Sequence, residues 1–326
     1  PNNVSVEYHW DFGDVHKAFT DSYLVREDRF ETGKVVTGFL EPPASLAYYD
    51  PSGHITVWPA KQSPYFHYRH LAACFNMPLS RIRIIQPFIG GGFGGTKNDS
   101  VAGDFAVVML SKKTGRPVKY VYTMDEVLTS CRRRHNMIIH NKMGMTKDGI
   151  ITGVWSRVVA NGGAYTAIGP LTMYLAGSGT TLPYKLPNYR YDAWRIFTNN
   201  PVSAAMRGHG FTHTRFACDV QMAMMAEELG INPVEIRMRN GVDNPEPGET
   251  YVTVNGIDIK TCGLKAGIKA VTEDAVWRDK EKGPKRVGPV SYGVGISGTT
   301  YQGGARQLGH QACAAIIRIC EDGTVN

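Results

Sequence analysis

Residues 54–58, His-Ile-Thr-Val-Trp, alternate polar and apolar directly after the turn Asp50-Pro51-Ser52-Gly53, and Arg81-Ile82-Arg83-Ile84-Ile85 repeats the pattern. A period of two predicts half-buried strands at both places. Between them the spacing predicts a helix over Tyr65 to Met77, halted near Pro78. Ala102, Phe105, Ala106, Met109 and Leu110 recur at helical spacing, which predicts a second helix with those five on one face and Asp99 or Ser100 capping its first turn. Gly115-Arg116-Pro117 ends it, and Val118 to Tyr122 resumes as a strand. A long helix is expected from about Thr212 to Leu229, stopped by Gly230, and Asn232-Pro233-Val234-Glu235 has the cap, N1 proline and acidic residue that open another. Near the end, Ala314 to Ile319 reads as a strand entering a hairpin turn at Glu321-Asp322-Gly323, with the returning strand lacking. With no initiator methionine before Pro1-Asn2-Asn3, this ending predicts a piece of a longer polypeptide.

The strand, helix, strand unit delivers the chain to Gly90-Gly91-Gly92-Phe93-Gly94-Gly95. Five glycines around one aromatic mark a sharp turn or a backbone that lies within bonding distance of a ligand. A strand, glycine loop and helix can cradle a phosphate-bearing cofactor, because loop and helix N-terminus offer N–H groups to anions. Gly90, Gly92 and Gly95 satisfy Gly-x-Gly-x-x-Gly, but a run this rich in glycine does so almost trivially, and the acidic candidates Asp125 and Glu126 lie far downstream for a ribose contact. Thr96-Lys97 is out of register with a P-loop. A tight turn and a nucleotide loop both stay open on these residues alone.

A second constellation is Ala204-Ala205-Met206-Arg207-Gly208-His209-Gly210, ahead of the long helix. An arginine between glycine-rich segments can be held toward an anion or a polar substrate oxygen, or can serve as a structural ion-pair partner. His209 and His213 lack an acidic or thiol ligand at helical spacing, so they do not read as a metal site; Met222, Met224 and Met225 read as helix packing.

A chain of 326 residues with 42% hydrophobic content can bury a large core and divide into two lobes. No stretch approaches the roughly 18 apolar residues of a membrane span, and no signal region opens the chain, which together point to the cytoplasm. The charge of +7 invites a nucleic-acid reading, yet the basic residues are dispersed, with knots only at Arg132-Arg133-Arg134-His135 and at Lys280 to Arg286, the latter a predicted solvated loop. Neither a nucleic acid nor a membrane is therefore expected as a partner. Cys74, Cys131, Cys218, Cys262, Cys313 and Cys320 form no Cys-x-x-Cys pair, so they suit buried free thiols better than a zinc or iron–sulfur site.

Gln86 to Gly95, followed about 110 residues later by Met206-Arg207-Gly208-His209-Gly210 and the helix ending Glu227-Glu228-Leu229-Gly230-Ile231-Asn232-Pro233, resembles the molybdenum-binding subunit of the xanthine dehydrogenase family. Glu41-Pro42, Gly144 to Gly149 and Asn161-Gly162-Gly163-Ala164-Tyr165 extend the resemblance over nearly the whole chain. Among members, Asp192-Ala193-Trp194-Arg195 and Ala205 to Gly210 suggest the large subunit of 4-hydroxybenzoyl-CoA reductase. The resemblance implies an α+β fold of mixed sheets with packed helices, like the family's molybdopterin-binding domain. A first lobe would span residues 1–130 with the glycine loop, and a second, truncated lobe 131–326 with Arg-Gly-His-Gly.

By position, the resemblance sets the backbone of Gly92, Phe93 and Gly94 beside molybdenum and pterin, with no direct protein ligand to the metal. Gln62 matches the glutamine that hydrogen-bonds a molybdenum oxygen, and Arg207 matches the arginine that orients substrate oxygen. Lys97 stands where purine-oxidising members carry glutamate, so it is a substrate-pocket candidate that speaks against a purine. The implied cofactor is molybdenum–molybdopterin in the cytosine dinucleotide form, with iron–sulfur clusters and FAD on partner subunits in a higher oligomer. The implied reaction is hydroxylation of a heterocycle or aldehyde, or reductive dehydroxylation of 4-hydroxybenzoyl-CoA, on a small aromatic substrate. The family's catalytic glutamate would lie past Asn326, leaving these residues inactive on their own. An NAD(P) oxidoreductase of Rossmann type and a non-catalytic assembly module stand as alternatives from other classes.

Overall fold

The structure is a computed structural model that describes residues 3–97, 99–283, 285–301 and 317–325. Its first segment runs β1 (Val4–Phe12), α1 (Val15–Thr20) and β2 (Leu24–Thr32). A small-sheet segment follows as β3 (Ala44–Tyr49), β4 (Ile55–Pro59), α2 (Pro64–Phe75), β5 (Ile82–Ile84), α3 (Ala102–Thr114), β6 (Val118–Val121) and α4 (Met124–Ser130). The third segment is β7 (Asn136–Met145), β8 (Ile151–Gly163), α5 (Gly169–Thr180), β9 (Tyr189–Phe197), α6 (Phe211–Leu229) and α7 (Pro233–Asn240). Beyond it lie the short strands β10 (Tyr251–Val252) and β11 (Asp258–Ile259) and the helices α8 (Leu264–Glu273) and α9 (Ala275–Lys282).

Two mixed sheets organise these elements, so the α+β fold of mixed sheets with packed helices is what the chain adopts. The larger has the order β1-β9-β8-β7-β2, with β8 and β9 parallel and the other neighbours antiparallel. The smaller has the order β5-β4-β3-β6, with only β4 and β5 parallel. That one parallel pair, crossed over by α2, is the unit that delivers the glycine loop. Sheet membership divides the chain differently from a boundary near residue 130: β1 and β2 pair with β9 and β7, so the first 32 residues belong with the larger sheet.

The main core lies where α6 crosses the larger sheet. Met137, Ile139, Met143, Val154, Val158, Tyr189 and Tyr191 meet Met222 and Met225 there, all buried. Gly230 caps α6 in the left-handed conformation and Asn232 accepts from the Val234 amide to start α7, as their residue types require.

Three expectations are corrected. The buried side of α3 is Asp104, Val107, Val108 and Ser111, while Met109 and Leu110 face outward. A polar pair sets that orientation: the Lys61 ammonium lies 2.7 Å from Asp104, both side chains buried, and Tyr120 donates to the same carboxylate at 2.8 Å. Nor do Asp99 and Ser100 cap α3; Asp104 reaches back to the Val101 amide, Asp99 pairs with Arg132, and Ser100 bonds His67. Finally, Lys280 to Lys282 close α9 instead of lying in a loop. At the end of the chain Ile319 bridges Val325 across the expected turn, whereas residues 314–316 fall outside the described residues. No helix among the described residues is long and apolar enough to cross a membrane.

Burial pulls the Lys61 ammonium below its ordinary value while Asp104 pushes it back up. Removing the carboxylate would strand that charge, so Asp104→Ala is expected to cost about 3–5 kcal/mol, and pairing it with Lys61→Met is expected to recover much of the loss. Urea unfolding of the complete protein checks this; a loss below about 1 kcal/mol would show that the pair does not carry the α3 orientation.

Candidate functional site

Strand β4 ends at Pro59, and the next three residues place Gln62 at the mouth of the glycine loop. Lys61 anchors this turn through the carbonyl of Asp99 at 2.9 Å, and the Gln62 amide donates to the Lys97 carbonyl at 2.8 Å. The Gln62 side-chain oxygen in turn accepts from the Gly94 amide at 2.8 Å. With its oxygen so engaged, the exposed Gln62 presents its NH2 group outward as a donor.

Across the loop stands the segment before α6. Gly95 donates its amide to the Ala205 carbonyl, Arg207 donates to the Phe93 carbonyl at 3.0 Å, and Gly94 pairs antiparallel with Met206. These bonds join a loop of the smaller sheet to a segment that follows the larger one. The approach needs glycine: at Gly94, φ is +86° and a Cβ would lie 2.7 Å from the Ala205 carbonyl oxygen. At Gly92 a Cβ would meet the Gln62 side-chain oxygen at 2.4 Å and would push that carboxamide out of place.

Gln62, Gly92, Phe93, Gly94 and Arg207 are thus brought together. Phe93 has φ of +53°, an uncommon conformation for a bulky residue, and its half-exposed ring carries the Arg207 guanidinium 5.7 Å from its centroid. Arg207 meets no carboxylate among the described residues, so it is not a structural ion-pair partner there. The amides of Gly91, Gly92 and Phe93 donate to no group among the described residues. Three successive free N–H groups, an outward carboxamide donor and an unpaired guanidinium form a donor set for an electron-rich group, which fits the oxygen and sulfur atoms of a molybdenum–pterin cofactor.

Lys97 lies elsewhere. Its side chain is fully buried, the ammonium 2.8 Å from Glu41 and 5.2 Å from the Phe39 ring. The other Glu41 oxygen accepts from the Gly90 amide, so this pair holds the start of the loop. Glu41 carried a weak sequence signal as part of Glu41-Pro42. Arg134 carried none beyond its basic neighbours: it donates to the Arg207 carbonyl and, at 2.7 Å, to the Thr212 hydroxyl. The rest of the basic knot is likewise spent on structure, Arg132 on Asp99 and Arg133 on the Leu128 carbonyl.

Residues 1–241 match the family described as Molybdopterin cofactor-binding domain. The chain belongs to this family. It is 37% identical over 238 residues to the nicotinate dehydrogenase large molybdopterin subunit of Eubacterium barkeri, covering 73% of this chain and 56% of that one. It is 28% identical over 315 residues to the putative xanthine dehydrogenase molybdenum-binding subunit XdhA of Escherichia coli K12, covering 96% of this chain and 41% of that one. Among solved structures, quinoline 2-oxidoreductase from Pseudomonas putida 86 superposes with a TM-score of 0.74 at 26% identity, over 83% of this chain and 35% of the other. The chain thus spans about half the length of the curated relatives it matches, and it is a molybdopterin-binding part of the xanthine dehydrogenase family.

In this domain, Asp192 to Arg195 serve the scaffold. Asp192 accepts from Trp155 at 2.6 Å, pairs with Arg190 and bonds His9. Arg195 is buried and donates to the carbonyls of Gly162, Tyr165 and Ser203.

The histidines behind the Arg207 turn are held neutral. Burial, reinforced by Arg134, pulls His209 and His213 down to about 4, and burial beside Arg195 pulls His135 well below its ordinary 6.5. No metal-binding group of three ligands forms with them among the described residues.

Between pH 6.5 and about 4 the unfolded chain takes up protons that the folded histidines refuse, so stability falls as pH drops through that window. The slope is expected to approach about 1.4 kcal/mol per pH unit for each histidine. Urea midpoints at pH 7, 6 and 5 check it, and His209→Asn is expected to flatten the profile by one histidine's share. Gly94→Ala, which forces a Cβ against the Ala205 carbonyl at φ +86°, is expected to destabilise by about 2 kcal/mol or more and to open the loop. Unchanged stability and unchanged cofactor retention in that variant would contradict the close-approach account.

Proposed function

We propose that this domain forms one wall of the active site of a molybdenum-cofactor oxidoreductase that hydroxylates a small heteroaromatic substrate. The observation that carries the reading is the donor set at the glycine loop: amides of Gly91, Gly92 and Phe93 that donate to no group among the described residues, beside the carboxamide of Gln62 and the guanidinium of Arg207, which meets no carboxylate among them.

When bound, the cofactor supplies the two-electron redox chemistry. The chain supplies position and field. Gln62, fixed by Gly94, orients one donor; Gly91 to Phe93 present amides that no side chain obstructs; Arg207, held over the Phe93 ring, stabilises negative charge that develops on a substrate or cofactor oxygen. Lys97 acts through the loop, because Glu41 already neutralises it. The proton-accepting carboxylate is assigned to the portion of the relatives' length that this chain does not span. The same reading takes the cytosine dinucleotide form of the pterin, iron–sulfur and FAD partners that carry electrons away, assembly into a higher oligomer, and a cytoplasmic setting.

A heteroaromatic substrate is supported by the names of the relatives, nicotinate dehydrogenase and quinoline 2-oxidoreductase. An aldehyde substrate is the alternative within the same reaction class. Reductive dehydroxylation of a 4-hydroxybenzoyl thioester is the second reading, carried by the resemblance of Asp192 to Arg195 and Ala205 to Gly210 alone, and no relative named above carries that activity in its name.

The complete protein from a molybdate-replete host is expected to contain molybdenum and pterin and to oxidise N-heteroaromatic acids. Arg207→Ala is expected to lower kcat/KM by about 10²–10³-fold. Metal and pterin analysis with steady-state turnover checks both. Protein lacking molybdenum and pterin would overturn the reading, and turnover of the thioester in preference to heterocycles would move it to the reductive reaction.

A further inference from the structure

We propose that Arg134 is a positioning residue for Arg207, a tether that fixes the direction in which the Arg207 guanidinium leaves its turn; the catalytic consequence rests on the function proposed above.

The turn needs such a tether. Gly208 and Gly210 have φ of +83° and +91°, so the backbone that follows Arg207 has little stiffness of its own. One side of Arg207 is secured, its amide donating to the Phe93 carbonyl at 3.0 Å. The other side is its carbonyl, and that oxygen accepts from Arg134 Nη2. Arg134 Nη1 donates to the Thr212 hydroxyl at 2.7 Å, in the first turn of α6. One guanidinium therefore spans the flexible turn from its first residue to the helix beyond it.

The anchor itself is firm. The Arg134 amide donates to the Val35 carbonyl at 2.8 Å, the Arg133 amide to the Val202 carbonyl at 3.1 Å, and β7 begins two residues later. The fork geometry matters: two N–H groups on one rigid plane reach two acceptors on different elements, which a lysine ammonium on a flexible stem does not reproduce. Arg134 is half-buried, burial lowers its affinity for the proton, and no carboxylate among the described residues pairs with it. A cation placed at such cost between two neutral acceptors is a poor device for stability alone.

The test uses the complete protein and two independent variants, Arg134→Met and Thr212→Val, the second a near-isosteric change that removes one acceptor and leaves Arg134 in place. Hydrogen exchange reads the tether without any cofactor. The peptide over residues 205–211 is expected to exchange at least about tenfold faster in Arg134→Met and about threefold faster in Thr212→Val, with peptides of β7 and the middle of α6 unchanged. Turnover then reads the consequence: kcat/KM is expected to fall about tenfold in Arg134→Met, with cofactor content unchanged, and to fall no further when the same change is made in Arg207→Ala. Unchanged exchange at 205–211, or faster exchange across the whole domain, would overturn the tether. Losses that add in the double variant would overturn its action through Arg207. A wild-type protein without molybdenum would sink the proposed function while leaving the exchange result to decide the tether.

Discussion

The structure depends on one close backbone approach, that of Phe93-Gly94-Gly95 to Ala205-Met206-Arg207. Two bonds cross it, Gly95 to Ala205 and Arg207 to Phe93, and on the loop's own side the Gly94 amide is held by Gln62. Strand pairing at such separation admits no Cβ at Gly94. Everything that makes the site a site follows from this contact. It turns the Phe93 carbonyl toward Arg207, leaves the Gly91, Gly92 and Phe93 amides without partners among the described residues, and orients the Gln62 carboxamide. A loop from the smaller sheet and a segment following the larger one become one surface, and neither could present these donors alone.

A second layer of polar contacts holds that surface in place, and it is expensive. Lys61 with Asp104, Lys97 with Glu41 and Arg132 with Asp99 are each removed from water to some degree. Buried pairs contribute little net stability but are costly to break, so they suit a role in fixing geometry. The cations around the loop are matched by nearby carboxylates or carbonyls, and Arg207 is left with its charge available at the Phe93 ring.

Much of this was legible in sequence because it rests on local rules. The β4-α2-β5 crossover, the stops at Gly115 and Gly230, and the cap at Asn232 follow from periodicity and residue type. Gln62 and Arg207 are reached through the family resemblance, and the structure brings both to the glycine run. What escaped was non-local. The face of α3 was misjudged because its buried side carries Asp104 and Ser111, partnered from other elements, whereas apolar Met109 and Leu110 are outside. The first 32 residues pair with strands more than a hundred positions away, which no local pattern announces. Lys97 is a pocket candidate through the resemblance alone, and its pairing with Glu41, 56 positions earlier, is a contact that no local pattern announces.

The kind of donor at this surface bears on what the domain can decide. Backbone amides and a carboxamide recognise electron-rich atoms but do not distinguish one aromatic ring from another. A wall built mainly from them suits a cofactor whose chemistry is constant, and leaves discrimination to side chains that face the ring of the substrate. Arg207 and Phe93 are the side chains here able to discriminate, through charge and through an exposed aromatic face. Both depend on backbone constraints, Phe93 on a left-handed φ and Arg207 on a turn closed by glycines at positive φ.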